Sequence, residues 1–320
     1  MKRLFILAAV IAISAALPLV ASTYAISFLV QTLIFMTLAY SWNLIGGYAG
    51  YTHFGQVAFF GLGAYVTALA IQAEVPWLLA AVLAGCASAL FAALLGSVML
   101  RLRGPFFAIG MFGIARVCES LALGFDNVTQ GGTGLYLDPV DLNAVYFVLL
   151  GIALVMIGGT WRLDNSRIGL QLLTIREDEI AARSLGVSTT RLKILTFIAS
   201  AFMPGVTGGL FAAYLGFIDP TTAFAPMTEL TVIAMVLLGG MGTVLGPLIG
   251  AVAFSAVNEV LWARFPEVYL ALVGVMVLAA VLFMPRGVVN YAQRHNWPFV
   301  PQARVYLRAL AGRRRDAGPR

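Results

Sequence analysis

Residues 4–73, "LFILAAVIAISAALPLVASTYAISFLVQTLIFMTLAYSWNLIGGYAGYTHFGQVAFFGLGAYVTALAIQA", hold no Asp, Glu, Lys or Arg. A membrane span needs only about 20 apolar residues, so a run this long reads as several crossings and not as a soluble core. The rest of the 320-residue chain agrees, being 61% hydrophobic and 11% charged. An average soluble domain is nearer 45–50% apolar and about 25% charged. The fold class is therefore all-α, a polytopic helical membrane protein.

Charge-free stretches mark helices near 4–22, 24–45, 56–72, 77–100, 105–122, 144–161, 193–215, 228–239, 246–262 and 268–284. That is about ten crossings (8–10), with the element around 240–247 expected to be broken or re-entrant. If both ends are cytoplasmic, all but Arg116 and Arg264 of the 20 Lys and Arg fall inside, Arg101, Arg103 and the tail arginines among them. The outer connections then carry Glu74, Asp126, Asp138, Asp141, Asp219, Glu229 and Glu267. This asymmetry is what the positive-inside rule demands, and it sets the expected orientation.

The start, "MKRLFILAAVIAISAALPLVAS" (1–22), can be read as a cleaved signal peptide or as a retained first helix; the charge pattern works with it retained. The net charge of +6 needs no nucleic acid, because the tail "RVYLRALAGRRRDAGPR" (304–320) suits a cytoplasmic end near anionic lipid headgroups. Cys86 and Cys118 have neither disulfide nor metal-ligand spacing and read as small buried hydrophobes.

In this apolar chain, residues 174–193, "TIREDEIAARSLGVSTTRLK", gather seven charges. Glu177, Asp178 and Glu179 stand where a helix would begin, and acidic residues favour its positive end. Glu179 and Arg183 are spaced i, i+4 with the acid first. Ile180, Ala181, Ser184 and Leu185 share one arc opposite that pair. Gly186 ends the helix, and Ser188 can cap the next. The stretch is either a wet connection or a short amphipathic helix on which a partner docks.

"EIAARSLG" (179–186) resembles the cytoplasmic coupling helix, the EAA-type loop, of bacterial ABC importer permeases. Its surroundings resemble the branched-chain amino acid permease family of the LivM type. The blocks that carry the likeness are "SWNLIGGYAGYTHFGQVAFFGLGAY" (41–65), "GGTGL" (131–135), "LLGGMGTVLGPLIGA" (237–251) and "MPRG" (284–287). The resemblance implies a permease subunit in a bacterial inner membrane, paired with a homologous second permease. It also implies two cytoplasmic ATPase subunits and a periplasmic binding protein. Residues 1–285 would form the permease domain, with its coupling connection at 162–193, and 286–320 a basic cytoplasmic tail. Carried over by position, Glu179, Ala181, Ala182, Leu185 and Gly186 would couple to the ATPases. Ile180 departs from the general motif, which has Glu there, and Thr196, Ile198 and Ala199 replace a later Ile-x-Leu-Pro element.

The two glycine blocks share a plan, with Gly46-Gly47 and Gly239-Gly240 offset by 193 residues. A parallel duplication would account for it. Consecutive glycines destabilise a helix and free backbone groups that hydrocarbon cannot satisfy. Asn43, Gly46, Gly47, Gly50, Gln56, Gly239, Gly240 and Gly242 therefore stand as candidates for the translocation path. Close helix packing explains the same glycines equally well. Asn43, Gln56 and Gln31 read first as interhelical hydrogen-bonding groups, His53 as a satisfied packing residue, and Arg116–Glu119 as a structural ion pair. In the acidic outer loop at 124–143, Gly131, Gly132 and Gly134 are candidates for receiving the binding protein. A solvated linker would look similar.

No nucleotide-binding loop, paired catalytic carboxylates or Ser/His/Asp set appears, so no catalytic, cofactor or metal residues are assigned. Ion-driven carriers commonly place carboxylates at mid-span, and these spans read as nearly free of them. That scarcity, with the cytoplasmic knob, favours an ATP-driven permease over a carrier, and the resemblance implies branched-chain amino acids as its cargo. Urea or short-chain amides are the alternative cargo.

Overall fold

A computed structural model describes residues 14, 17, 18, 21–102, 104–265, 267–269, 271–275, 278 and 287–289. Most of the expected helices at 4–22 and 268–284, Arg103 and the tail beyond 289 lie outside the described residues.

In chain order the helices are α1 (Thr23–Trp42), α2 (Gln56–Gln72), α3 (Trp77–Met99), α4 (Pro105–Gly124), α5 (Asp126–Thr129) and α6 (Leu142–Asp164). They continue with α7 (Arg167–Glu177), α8 (Glu179–Ser184), α9 (Thr189–Leu215), α10 (Pro220–Ala223), α11 (Pro226–Gly239) and α12 (Gly246–Arg264). Among the described residues, seven helical segments are long and apolar enough to cross a membrane, and α2, at 17 residues, is shorter. All eight fall where the charge-free stretches predict them, and an all-α polytopic membrane protein results.

The long helix α9 is the central mast, lying along both α2 and α3. Pro204 is followed by Gly205, Gly208 and Gly209, and these let the backbones touch. A Cβ on Gly205 would stand 2.8 Å from the Ala84 carbonyl of α3, and one on Gly208 would stand 2.0 Å from the Phe60 carbonyl of α2. The α3 face that meets α9 is built of Ala80, Ala84, Ser88 and Ala92, all buried. Small residues at helical spacing are how apolar helices gain contact where no hydrophobic effect drives them together. The opposite face of α3 exposes Leu79, Leu83, Leu90 and Leu94, as a lipid-facing surface must. Cys86 lies on that exposed surface and not in the core, because it falls between the buried positions of the stripe. A second layer packs α1 against α6, α11 and α12.

After Trp42, α1 widens into a π-helical turn, Asn43–Tyr48, and the chain then doubles back into the protein. Trp42 Nε1 donates to the His53 carbonyl (3.0 Å), and Gln56 Nε2 donates to the Leu38 carbonyl (2.9 Å). Helix α2 therefore starts beside Leu38, about 15 Å inward of Tyr48 at 1.5 Å per residue. Its first amides emerge in apolar surroundings, with no cap from its own side chains. Glu229 of α11 supplies the acceptor: Val57 N donates to its Oε2 at 3.0 Å. Glu229 is 2% exposed. The assignment of this residue to an outer connection is corrected here, because Pro226 starts α11 early and draws Glu229 into the interior. The spans are accordingly not free of carboxylates.

The connections sort to two ends of the bundle. At one end, residues 43–55, 100–102, 104–105, 164–193 and 240–246 converge. At the other, Leu135 and Tyr136 pair antiparallel with Ile218 and Phe217.

Candidate functional site

The connection from α6 to α9 is a folded unit. Ser166 caps α7, its Oγ accepting from Gly169 N at 3.1 Å. Asp178 then breaks the chain direction in extended conformation and caps α8, its Oδ1 accepting from Ile180 N (2.7 Å) and Ala181 N (3.1 Å). The sequence reading placed one helix start at 177–179, whereas two helices meet at Asp178. Gly186 has φ +83°, which stops α8 in the left-handed region that glycine tolerates. Ser188 precedes α9 but makes no side-chain cap; Thr189 Oγ1 instead accepts from Arg183 Nε at 2.8 Å.

Glu179 is the strut of this unit. Its side chain is 11% exposed and accepts from Arg183 Nη2 (2.6 Å), Lys193 Nζ (2.9 Å) and the Tyr51 hydroxyl (2.6 Å). Burial pushes its carboxyl up, but the bonds from Tyr51, Lys193 and Arg183 outweigh that and hold it at about 2. Lys193 also reaches the Tyr51 hydroxyl (2.7 Å) and the Leu100 carbonyl (3.4 Å), with its ammonium 4.6 Å from the Tyr51 ring centre. The carboxylate thus ties α8 to α9 and to the segment that doubles back, and Lys193 adds the end of α3. The Glu179–Arg183 pair was legible by spacing. Tyr51 and Lys193 were not, since both partners lie far along the chain.

The sequence-derived docking residues divide by direction. Ala182 is fully buried, packed with Ile175, Leu172 and Phe197, so it anchors α8. Ala181, Ser184 and Gly186 are exposed, and Ile180 and Leu185 are 66% and 77% exposed. The predicted arc therefore forms an exposed apolar knob on the surface of the described residues.

The glycine blocks meet each other beside this unit. Asn43 Nδ2 donates to the Thr243 carbonyl (3.2 Å), and Gly242 N donates to Asn43 Oδ1 (2.8 Å). Arg176 Nη1 donates to the Gly47 carbonyl at 2.7 Å. A Cβ on Gly47 would fall 2.7 Å from Gly242 N, and one on Gly239 would fall 1.8 Å from the Gly246 carbonyl. Gly46 lies against the Trp42 ring, and Gly240 and Gly242 have φ of +126° and +70°. Close approach thus accounts for these glycines. The expected break near 240 is a tight turn joining α11 to α12. Gly50, at φ +78°, borders a cavity of about 500 Å³ also lined by Tyr51, Pro105, Phe107, Arg176 and Glu179.

The remaining candidates are placed as follows. Gln56 and Asn43 make interhelical hydrogen bonds, as their residue type suggested, whereas Gln31 is exposed. His53 is a packing residue, stacked on Trp42 and edge-on to Phe107 and Phe197. It is not a satisfied one: neither ring nitrogen has a hydrogen-bond partner among the described residues. Arg116 and Glu119 form the expected ion pair, and Arg116 also donates to the Phe224 carbonyl. In the loop at 124–143, Gly131 and Gly134 are buried in a compact turn and Gly132 is exposed.

Comparisons with known proteins bear on this arrangement. Residues 24–281 match the family described as "Branched-chain amino acid transport system / permease component". The high-affinity branched-chain amino acid transport system permease protein LivM of Salmonella typhimurium is 29% identical, covering 89% of this chain and 75% of its own. LivM of Escherichia coli is 28% identical with the same coverage. The autoinducer 2 import system permease protein LsrC of Klebsiella pneumoniae is 29% identical over 50% of this chain and 47% of its own. No solved structure matches the chain.

Proposed function

We propose a function from one premise: the chain belongs to the family of branched-chain amino acid transport system permease components. The family makes it a transport permease in a membrane. We infer that it is one subunit of an ATP-driven importer in the bacterial inner membrane, with both ends cytoplasmic. Two cytoplasmic ATPase subunits drive it, a homologous second permease completes the path, and a periplasmic binding protein delivers branched-chain amino acids. The ATPases dock on the exposed knob of Ile180, Ala181, Ser184 and Leu185.

One observation carries the reading: an apolar knob, exposed among the described residues, fixed to a charged strut. An exposed Leu or Ile on a soluble loop gains nothing from order, and burying each against a partner is worth about 1.5–3 kcal/mol. The strut gives docking a mechanical outcome. A displacement of α8 pulls Glu179, hence Tyr51 and the 49–55 segment, hence the start of α2 and the junction of the glycine blocks. Those blocks flank the path on this reading, and the outer loop with Gly131, Gly132 and Gly134 receives the binding protein.

The test is uptake into proteoliposomes holding the chain, its neighbouring permease and the ATPases encoded beside it. Labelled leucine should accumulate only with binding protein and internal ATP. Uptake of urea in place of leucine would move the cargo to amides. Uptake by the lone chain along an ion gradient would make it a carrier, for which a mid-span carboxylate such as Glu229 is suited.

A further inference from the structure

Glu229 and Gln56 are each used on one side only. Val57 N occupies Glu229 Oε2, and Gln56 Nε2 is committed to the Leu38 carbonyl, which fixes the amide so that its oxygen points the other way. The remaining oxygens, Glu229 Oε1 and Gln56 Oε1, are buried and have no hydrogen-bond partner among the described residues. Both residues line one narrow void of about 160 Å³ of interatomic space, too tight for a water molecule. Leu38 of α1, Val57 and Phe60 of α2, and Thr228 and Val232 of α11 complete its wall. No cation and no other titratable side chain stands among these lining residues.

Two buried acceptors without a donor, on residues that share the wall of one dry void, are unfavourable, and a carboxylate with no counter-charge in such a place costs many kcal/mol unless it is neutralised. A single hydrogen between the two oxygens resolves both problems. Glutamine cannot supply it, because the hydrogens of its amide lie on the other atom. We propose that Glu229 and Gln56 form a proton-binding site, with Glu229 held as a neutral carboxylic acid whose Oε1–H is donated to Gln56 Oε1. Glu229 thus holds two helices with one carboxyl group, accepting from α2 through Oε2 and donating to α2 through Oε1. The bound proton leaves only when the void opens to water or to another donor. The site stands whatever the chain transports.

Infrared difference spectra of the full-length chain in lipid nanodiscs at neutral pH, wild type minus Glu229→Gln, read the proton directly. The expected result is a protonated-carboxyl C=O band present in wild type and absent in the variant, shifting only slowly in D2O because water does not reach it. Ionised-carboxylate bands in its place would overturn the proposal. Thermal unfolding gives an independent reading. Glu229→Gln, whose amide oxygen accepts and whose N–H donates as the acid does, should unfold at the wild-type temperature. Glu229→Leu, which strands Val57 N–H and Gln56 Oε1, should unfold earlier or fail to fold. Equal losses in the two variants would overturn it as well.

Discussion

Replacing Lys193 with Met takes the cation out of the most connected point of the coupling unit. The Lys193 side chain is 4% exposed and bonds Glu179, Tyr51 and the Leu100 carbonyl. Removing one member of a buried pair costs roughly 3–5 kcal/mol when the other charge is left alone. Here Glu179 keeps Arg183 and Tyr51, each at 2.6 Å, so the lower end applies. The carboxyl itself sets a ceiling. Its displacement from 4.5 to about 2 corresponds to at most about 3 kcal/mol, shared chiefly by Tyr51, Lys193 and Arg183 and trimmed by residual solvent contact. The expected loss for Lys193→Met is therefore about 2 kcal/mol, with a similar loss for Glu179→Gln. The double variant should fall short of their sum by about 1–2 kcal/mol, because the second change removes a charge already stranded. Denaturant unfolding in mixed micelles measures all three. Glu179 has its folded value below the unfolded one, so its contribution is full above about 4.5 and vanishes as pH falls towards 2. That acid-induced loss should disappear in Glu179→Gln. Strict additivity of the two single variants, or an unchanged acid limb, would refute the strut.

Three further outcomes follow from the same geometry. Ile180→Glu combined with Leu185→Glu changes only exposed positions, so stability should move by about 0.5 kcal/mol or less while ATP-driven uptake is lost; normal uptake would remove the knob from the docking surface. Ala182→Leu overfills a fully buried site and should cost about 1–3 kcal/mol in the same unfolding assay, separating the anchoring residue from its exposed neighbours. Gly47→Ala drives a methyl into Asn43 Oδ1 and Gly242 N, so expression and uptake should fall together; wild-type expression and uptake would refute the close approach of the two blocks.

The fold was legible because lipid imposes one rule along the whole chain. Runs without charge had to be helices, and the observed α2, Gln56–Gln72, matches its predicted bounds to the residue. The coupling helix was legible because its determinants are local: a cap at Asp178, an i, i+4 pair and a stop at Gly186. Long-range partners were not. Nothing near Asn43 names Thr243, and nothing near Val57 names Glu229. The burial of Glu229 was misread because a charge close to a proline looks like a loop boundary. Only the stranded amides of a helix starting inside the protein explain why it is drawn in. The inward turn of Ala182 was also invisible, since helical phase does not say which face meets the core.

The seam between Asn43 and Gly242, together with the reach of Glu229 to Val57, has a consequence for biosynthesis. A ribosome delivers residue 57 to the membrane long before residue 229 exists. Until α11 is inserted, the first turn of α2 has no acceptor, and hydrocarbon offers none. The N-terminal half must wait for its last stitches, with α2 shallow, wet or sheltered by the insertion machinery. Truncation after residue 215 should leave two thirds of the protein, which inserts but never sets and is an easy target for membrane quality control.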